Sequence, residues 1–323
     1  MHRYIVKRLL LAVPTLAGAA ALVFVLMRLI PGDVCLIRLG AGGAHLDPAA
    51  LALCHSRLGL DDPLIVQFLD FLWSYCTFDF GISMWSGNPV IEEIGKRLPV
   101  SLEVATMATV IAILLAIPLG TISALKENTW LDHVVRVVAI AGIATPSFWL
   151  GIMSLILVLN ISAMATGKPW LPPIDYVSLW QDPVRNLSMV ILPAVTVGYR
   201  YSAVTMRITR SAMLEVLRED YIRTARAKGL LEQIVINRHA LKNALLPVVT
   251  LIGIEFAFLI GGLVITEQVF NLNGIGRLLV QAVQNQDNVL AQALVMLVVV
   301  VFVFCNLVVD LLYAWLDPRI RYA

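Results

Sequence analysis

Apolar runs long enough to cross a lipid bilayer recur six times along the chain: Leu9 to Met27, Pro99 to Leu125, Val137 to Ile161, Leu187 to Val204, Ala244 to Thr266 and Val289 to Leu316. A hydrocarbon core takes about 20 residues of helix, and bare backbone polar groups find no partner in lipid, so each run predicts a transmembrane helix. Two intervening stretches follow another pattern. Between the first and second runs, LDPAALALCHSRLGLDDPLIVQFLDFLWSYC alternates apolar and polar residues at helical spacing, with Asp47-Pro48 and Asp62-Pro63 as helix starts. It predicts a small helical insertion on the membrane surface. Between the fourth and fifth runs, Ser211 to Lys228 carries Leu214, Leu217, Tyr221, Ile222 and Ala225 on one helical stripe among Arg and Glu. Gly229 ends that stripe, with Arg226 and Lys228 suited to the negative end of a helix dipole. Leu231, Ile234 and Val235 begin a second stripe, so two short amphipathic helices are expected to meet at a glycine in a bent, stiff projection.

Composition agrees with a membrane protein. Hydrophobic residues make up 59% of the chain and charged residues 14%, with a mean hydropathy of +0.83, whereas soluble domains carry about 25% charged residues. The first run has the look of a cleaved signal peptide in part, since Arg3, Lys7 and Arg8 precede it and Ala17 to Ala21 supplies small residues. It continues past that point to spanning length, which favours a retained anchor. The net charge of +2 says little, but its distribution is informative. Basic residues gather at the N-terminus, between Arg207 and Lys242, and at Arg319 and Arg321, and six crossings place all three clusters on one side. By the positive-inside rule that side is the cytoplasm. The segment from Pro31 to Arg97 then lies outside, where Asp33, Asp47, Asp61, Asp62, Asp70, Asp79, Glu92 and Glu93 outnumber its basic residues.

Of four cysteines, Cys35, Cys54 and Cys76 fall in the outer segment and Cys305 in the last run. A Cys35 to Cys54 disulfide is compatible with that compartment, and three small apolar residues is the plainer alternative. His45 and His55 flank Cys54 without regular metal-ligand spacing, so no metal site is expected. The chain has no GxxxxGK[ST] phosphate loop and is not expected to hydrolyse ATP. The amphipathic projection calls for a covering surface, a protein partner rather than lipid, although a basic loop touching headgroups would also satisfy the topology.

DYIRTARAKGL, at 220 to 230, resembles the EAA loop of permease subunits of binding-protein-dependent ATP-binding cassette importers, in particular the dipeptide, oligopeptide and nickel branch. The resemblance extends to RYIVKRLLLAVPTL at the N-terminus, Ile30 to Asp33, DFGISMWSGNPVIEEIGKRLPVSLEVA, ATPSFWLG, HALKNALLPVV and LVVDLLYAWLDPRIRY. Arg223 and Thr224 stand where the general loop pattern has Glu and Ala, Lys242 stands where its later proline falls, and Asn273 replaces a proline in the outer turn.

That resemblance implies an all-α integral membrane protein with the type I importer permease fold and a helical extracytoplasmic insertion. Residues 1–97 would form the first span plus the insertion, and residues 98–323 a five-span core with a coupling loop at 207–242. It implies a bacterial inner-membrane location with both termini cytoplasmic. Its partners would be a paralogous second permease, two ATPase subunits holding ATP and Mg, and a substrate-binding protein, with no cofactor on this chain and no nucleic acid. The ATPase-coupling residues would be Tyr221, Arg223, Ala225, Ala227, Gly229, Leu230, Leu231, Ile234 and Val235, with a short coupling helix from about Leu230 to Asn237. Short peptides are the favoured cargo; nickel is disfavoured because the spans lack His, and a metal chelate or other peptide-like solute is the alternative.

Ionisable groups inside spans usually face protein or water. Glu255 and Arg200, as an ion pair or as cavity lining, and Gly262 are therefore candidates for the translocation path, while Glu103 and Asp310, nearer span ends, read as structural or interfacial. Gly142, Gly151, Gly261 and Gly262 permit close helix approach, and Pro146 and Pro247 permit bends. A stand-alone secondary transporter or channel would show inverted repeats or paired broken helices, which this sequence does not, and a scaffold would have no need of the projection.

Overall fold

The computed structural model describes residues 2–29, 35–36, 48–57 and 59–316. Its helices are α1 (His2–Leu29), α2 (Pro48–Arg57), α3 (Leu64–Thr77), α4 (Val90–Leu125), α5 (Trp130–Ala144), α6 (Ser147–Thr166), α7 (Pro183–Leu217), α8 (Asp220–Ala227), α9 (Glu232–Gly262), α10 (Val264–Val269), α11 (Ile275–Gln284) and α12 (Asn288–Leu316). Among the described residues six helices are long and apolar enough to cross a membrane, as the sequence pattern predicts: α1, α4, α6, α7, α9 and α12.

Three expectations need correction. The third run is two helices rather than one, because Thr145 is extended ahead of Pro146 and the chain restarts at Ser147. Proline disfavours helical geometry in the residue before it, which places the break there. The fourth run does not stop at Val204. A 35-residue α7 is about 50 Å long, well beyond a core of about 30 Å, so it carries Arg207 to Leu217 past the apolar layer. Finally, the expected separate helix at Leu230 to Asn237 is the first part of α9. It starts at Glu232, passes through a π-helical stretch at Val235–Ala240 and runs unbroken into the fifth span.

The centre of the bundle is the pairing of α4 with α7, the most extensive helix contact in the chain. Val100, Val104, Ala105 and Ala108 of α4 meet Met189, Val190 and Val197 of α7 and Leu259 and Ile260 of α9. Two glycines set the distance: a Cβ at Gly120 would lie 2.7 Å from the Met206 carbonyl oxygen, and one at Gly198 would lie 2.8 Å from that of Ala108. In lipid, where apolar surface gains little by leaving the solvent, such close backbone packing supplies much of the association.

The insertion packs on α1 through Phe24, Phe68, Phe71 and Tyr75, whose rings form a continuous edge-to-face and tilted cluster. Cys35 and Cys54 are joined in a disulfide, with Cα atoms 5.9 Å apart; Cys76 is exposed and Cys305 buried. Asp287, just before α12, accepts hydrogen bonds from Ser83 Oγ (2.5 Å), Trp85 N (3.2 Å) and Leu290 N (3.0 Å), tying the end of the insertion to the last span. The insertion thus occupies one end of the bundle, and the 218–231 elbow occupies the other. At the elbow end, Arg8 of α1 pairs with Asp310 of α12 at 2.9 Å, and toward the other end Glu103 accepts from Asn186 Nδ2 at 2.7 Å. Both acids hold helices together, as their position near span ends suggested.

Candidate functional site

The amphipathic stretch between the fourth and fifth spans folds into a compact elbow. After α7 ends at Leu217, Glu219 is extended and α8 begins at Asp220. Its last turn closes at Gly229, whose φ of +76° lies in the left-handed region, with open space around it. A side chain there would clash with nothing outside its own backbone but would carry the strain of that conformation. Leu231 then returns to extended geometry and α9 starts.

Burial divides the sequence-predicted coupling residues into two groups. Ala225 and Val235 are buried inside the chain, together with Ile222, Met213, Ala212, Ala240, Ala244 and Ala124. These residues join α4, α7, α8 and α9 in one cluster, so much of the amphipathic stripe is covered by the protein itself. That corrects Ala225 and Val235 as docking residues; they hold the elbow. Tyr221, Arg223, Ala227 and Gly229 are exposed, as are Leu230 (39%), Leu231 (72%) and Ile234 (39%) at the tip. What remains for a partner is a small apolar cap at the very start of α9.

Polar contacts fix the elbow's angle. Arg226 donates to both carboxylate oxygens of Glu232, at 2.7 and 3.2 Å, closing a clasp across Gly229. This bond raises the Arg226 pKa above its ordinary value. Asn243 Nδ2 donates to the Tyr221 hydroxyl at 2.7 Å, linking α8 to α9, and Arg223 pairs with Asp220. Deeper, Asp132 in the first turn of α5 is fully buried and accepts from Arg210 Nε and Nη2 (both 2.8 Å), Ser123 Oγ (2.5 Å) and Asn128 N (3.1 Å). The Arg210 bonds, against the effect of burial, hold its carboxyl well below the usual carboxylate range. This cluster locks the α4–α5 corner to α7 just above the elbow.

The proposed path residues are not brought together. Glu255, buried mid-span in α9, accepts from Thr205 Oγ1 at 2.9 Å, while Arg200 is exposed on α7 and has no ion-pair partner among the described residues. The Glu255 to Arg200 pair is therefore corrected to a Glu255 to Thr205 hydrogen bond. Gly262 has no neighbour within 4 Å of a Cβ and opens on a groove of about 660 Å³ between α1, α9 and α12. Close approach is instead a property of Gly261, whose Cβ would lie 2.7 Å from Val298, and of Gly142 and Gly151. No cluster of His, Cys, Asp and Glu able to hold a metal occurs among the described residues, and His45 lies outside them.

Besides Asp287, two buried carboxylates escaped the sequence reading. Glu267 of α10 is fully buried and accepts from Ser101 Oγ (2.7 Å) and Arg277 N (2.7 Å), while Ser101 also accepts from Ile275 N (2.8 Å). Asp132 was likewise passed over. Both lie outside the long apolar cores, where an acid looks like ordinary surface. The available signal was the small-residue turn Gly274-Ile275-Gly276 a few positions after Glu267, with amides free to donate.

Comparison with known proteins places this geometry. Residues 116–322 match the family model described as the binding-protein-dependent transport system inner membrane component, and residues 1–105 match the model for the N-terminal part of such membrane components. The glutathione transport system permease protein of Salmonella choleraesuis (strain SC-B67) is 42% identical over the whole length of both chains. The putative peptide transport system permease protein of Brucella abortus (strain 2308) is 40% identical, and the glutathione transport system permease protein of Escherichia coli O1:K1 / APEC is 39% identical, each again over full length. With six apolar helices, an elbow between the fourth and fifth spans and both family models matched, the chain belongs to the binding-protein-dependent transport system inner membrane components, as a multi-pass permease subunit of an ATP-driven importer that works with an ATPase and a binding protein.

Proposed function

We propose that this permease lines half of a translocation path for short peptides, glutathione-like peptides included, and is driven through the elbow. The cargo class rests on the names of full-length relatives at about 40% identity. In this reading a second, related permease completes the path, a binding protein delivers cargo at the insertion end, and two ATPase subunits holding ATP and Mg grip the other end. The basic clusters support a cytoplasmic location for that end and for both termini.

The observation that carries the coupling role is the exposed cap of Leu230, Leu231 and Ile234 around the start of a helix that continues without a break into the fifth span. A rigid body seated on that cap would push along α9 directly, and the buried cluster at Ile222 and Val235 would move α4 and α7 with it. The π-helical stretch just above the cap fits a segment placed for function rather than for maximal helix stability. Glu255, the buried acid of this span, is the residue of the path most directly moved.

The test uses the assembled transporter. Leu231→Cys is expected to crosslink to an ATPase subunit, and Leu231→Asp is expected to leave the chain in the membrane while cargo-loaded binding protein no longer stimulates ATP hydrolysis. Full stimulation in Leu231→Asp, with no crosslink from Leu231→Cys, overturns the coupling role.

A further inference from the structure

Above the elbow, α5 and α7 diverge around a groove of about 380 Å³ that the transport reading does not use. Val135, Ile140, Ile143 and Met206 make an apolar wall, and Arg136 and Arg207 stand beside it. On α5 the order Arg136, Ile140, Ile143 follows the spacing of one helix face, so the charge sits toward the elbow and the apolar residues follow it toward the middle of the bundle. Both arginines are exposed, and neither has an ion-pair partner among the described residues.

Asp132, one helical turn before Arg136, does not neutralise them. Asp132 already accepts from two nitrogens of Arg210, from Ser123 and from the Asn128 amide. The groove therefore keeps two uncompensated guanidinium groups at the end of an apolar channel. Guanidinium forks fit phosphate oxygens, and basic pockets between membrane helices on the basic side favour anionic headgroups. A soluble anion would meet the charges and leave the wall wet. An acyl chain attached to the phosphate covers both, which decides between the two ligands.

We infer that the α5–α7 groove seats one anionic phospholipid of the elbow-side leaflet, its phosphate between Arg136 and Arg207 and an acyl chain along Ile140 and Ile143. Such a lipid would brace the third crossing, which Pro146 interrupts, against α7. Nothing in this inference depends on the identity of the cargo.

The experiment is native mass spectrometry of the intact transporter, purified and then titrated with palmitoyl-oleoyl phosphatidylglycerol or with phosphatidylcholine of the same chains. Phosphatidylglycerol should be retained preferentially. The preference should fall about tenfold in Arg136→Gln/Arg207→Gln and persist in a charge-matched Lys96→Gln/Lys168→Gln control. Ile140→Trp, which fills the groove and keeps both arginines, should also lower retention. Equal retention in the arginine variant, or no effect of Ile140→Trp, overturns the assignment. So does displacement of the lipid by glycerol 1-phosphate at comparable concentration, which would mark a soluble-anion site, or a crosslink from Ile143→Cys to another subunit in place of lipid, which would mark a protein contact.

Discussion

At the insertion end, buried carboxylates pin backbone segments: Asp287 holds the 83–85 segment, Glu267 holds the first turn of α11, and Glu93 accepts from Asn88 and Arg97. At the elbow end the only fully buried acid among the described residues is Asp132, and it fixes the α4–α5 corner rather than the tip. The tip itself is held by an apolar cluster, one left-handed glycine and an exposed clasp. A buried carboxylate bound to backbone amides specifies one geometry and resists change, because an unpaired acceptor in the interior is costly. An apolar cluster transmits displacement while letting side chains readjust. The difference teaches which end keeps its shape and which passes on a push.

The contrast can be broken most sharply at Gly229. Gly229→Asp forces a substituted residue into φ +76° at about 1–3 kcal/mol of strain. Uptake by the reconstituted transporter should fall below about a tenth of the unaltered rate, with membrane insertion retained. Uptake at the unaltered rate would show that the elbow's angle is immaterial. Next comes Asp132→Ala, which leaves Arg210 without its buried partner. A loss of about 3 kcal/mol is expected, read as a drop in thermal stability in detergent, and a stability equal to the unaltered chain would discount the corner.

Glu267→Gln keeps shape but cannot accept at both oxygens as before. About 1–2 kcal/mol of stability should go, while ATP hydrolysis stimulated by the binding protein persists if this end is static. Loss of stimulation at unchanged stability would erase the distinction between the two ends. The smallest effect is expected for Arg226→Gln, because its ion pair with Glu232 is exposed to solvent and screened. Its contribution to stability should be under about 1 kcal/mol, measured as a midpoint shift, and a larger loss would make the clasp a structural pin like those opposite.

The extent to which these ends were legible in the sequence also differs. The elbow is legible through charge gathered around Gly229 in a chain otherwise poor in charge, and through the motif DYIRTARAKGL. Its inward and outward faces were not legible, because Ala225 and Leu231 are equally apolar and only packing assigns one to the core and the other to the surface. The continuity of α9 was hidden for a related reason: Asn237, Arg238 and His239 look like a break in an apolar pattern, yet their backbone stays helical in a π-helical stretch. Glu255 is legible from its apolar surroundings, but of its two readings the ion pair with Arg200 gives way to a hydrogen bond from Thr205. Nothing in one dimension tells whether Thr205 or Arg200 faces it across α7.

By itself the sequence determined the number of long apolar helices, their helical character and the motifs of the family, because hydrocarbon thickness and backbone hydrogen bonding leave the chain few alternatives. The tertiary structure alone decided which polar groups meet, that Asp132 clamps Arg210, that Glu267 caps a turn through Ser101, and that two arginines remain without acids beside an apolar groove. Those outcomes depend on how two helices are rotated against each other. Lipid is indifferent to that rotation, and only the side chains in contact fix it.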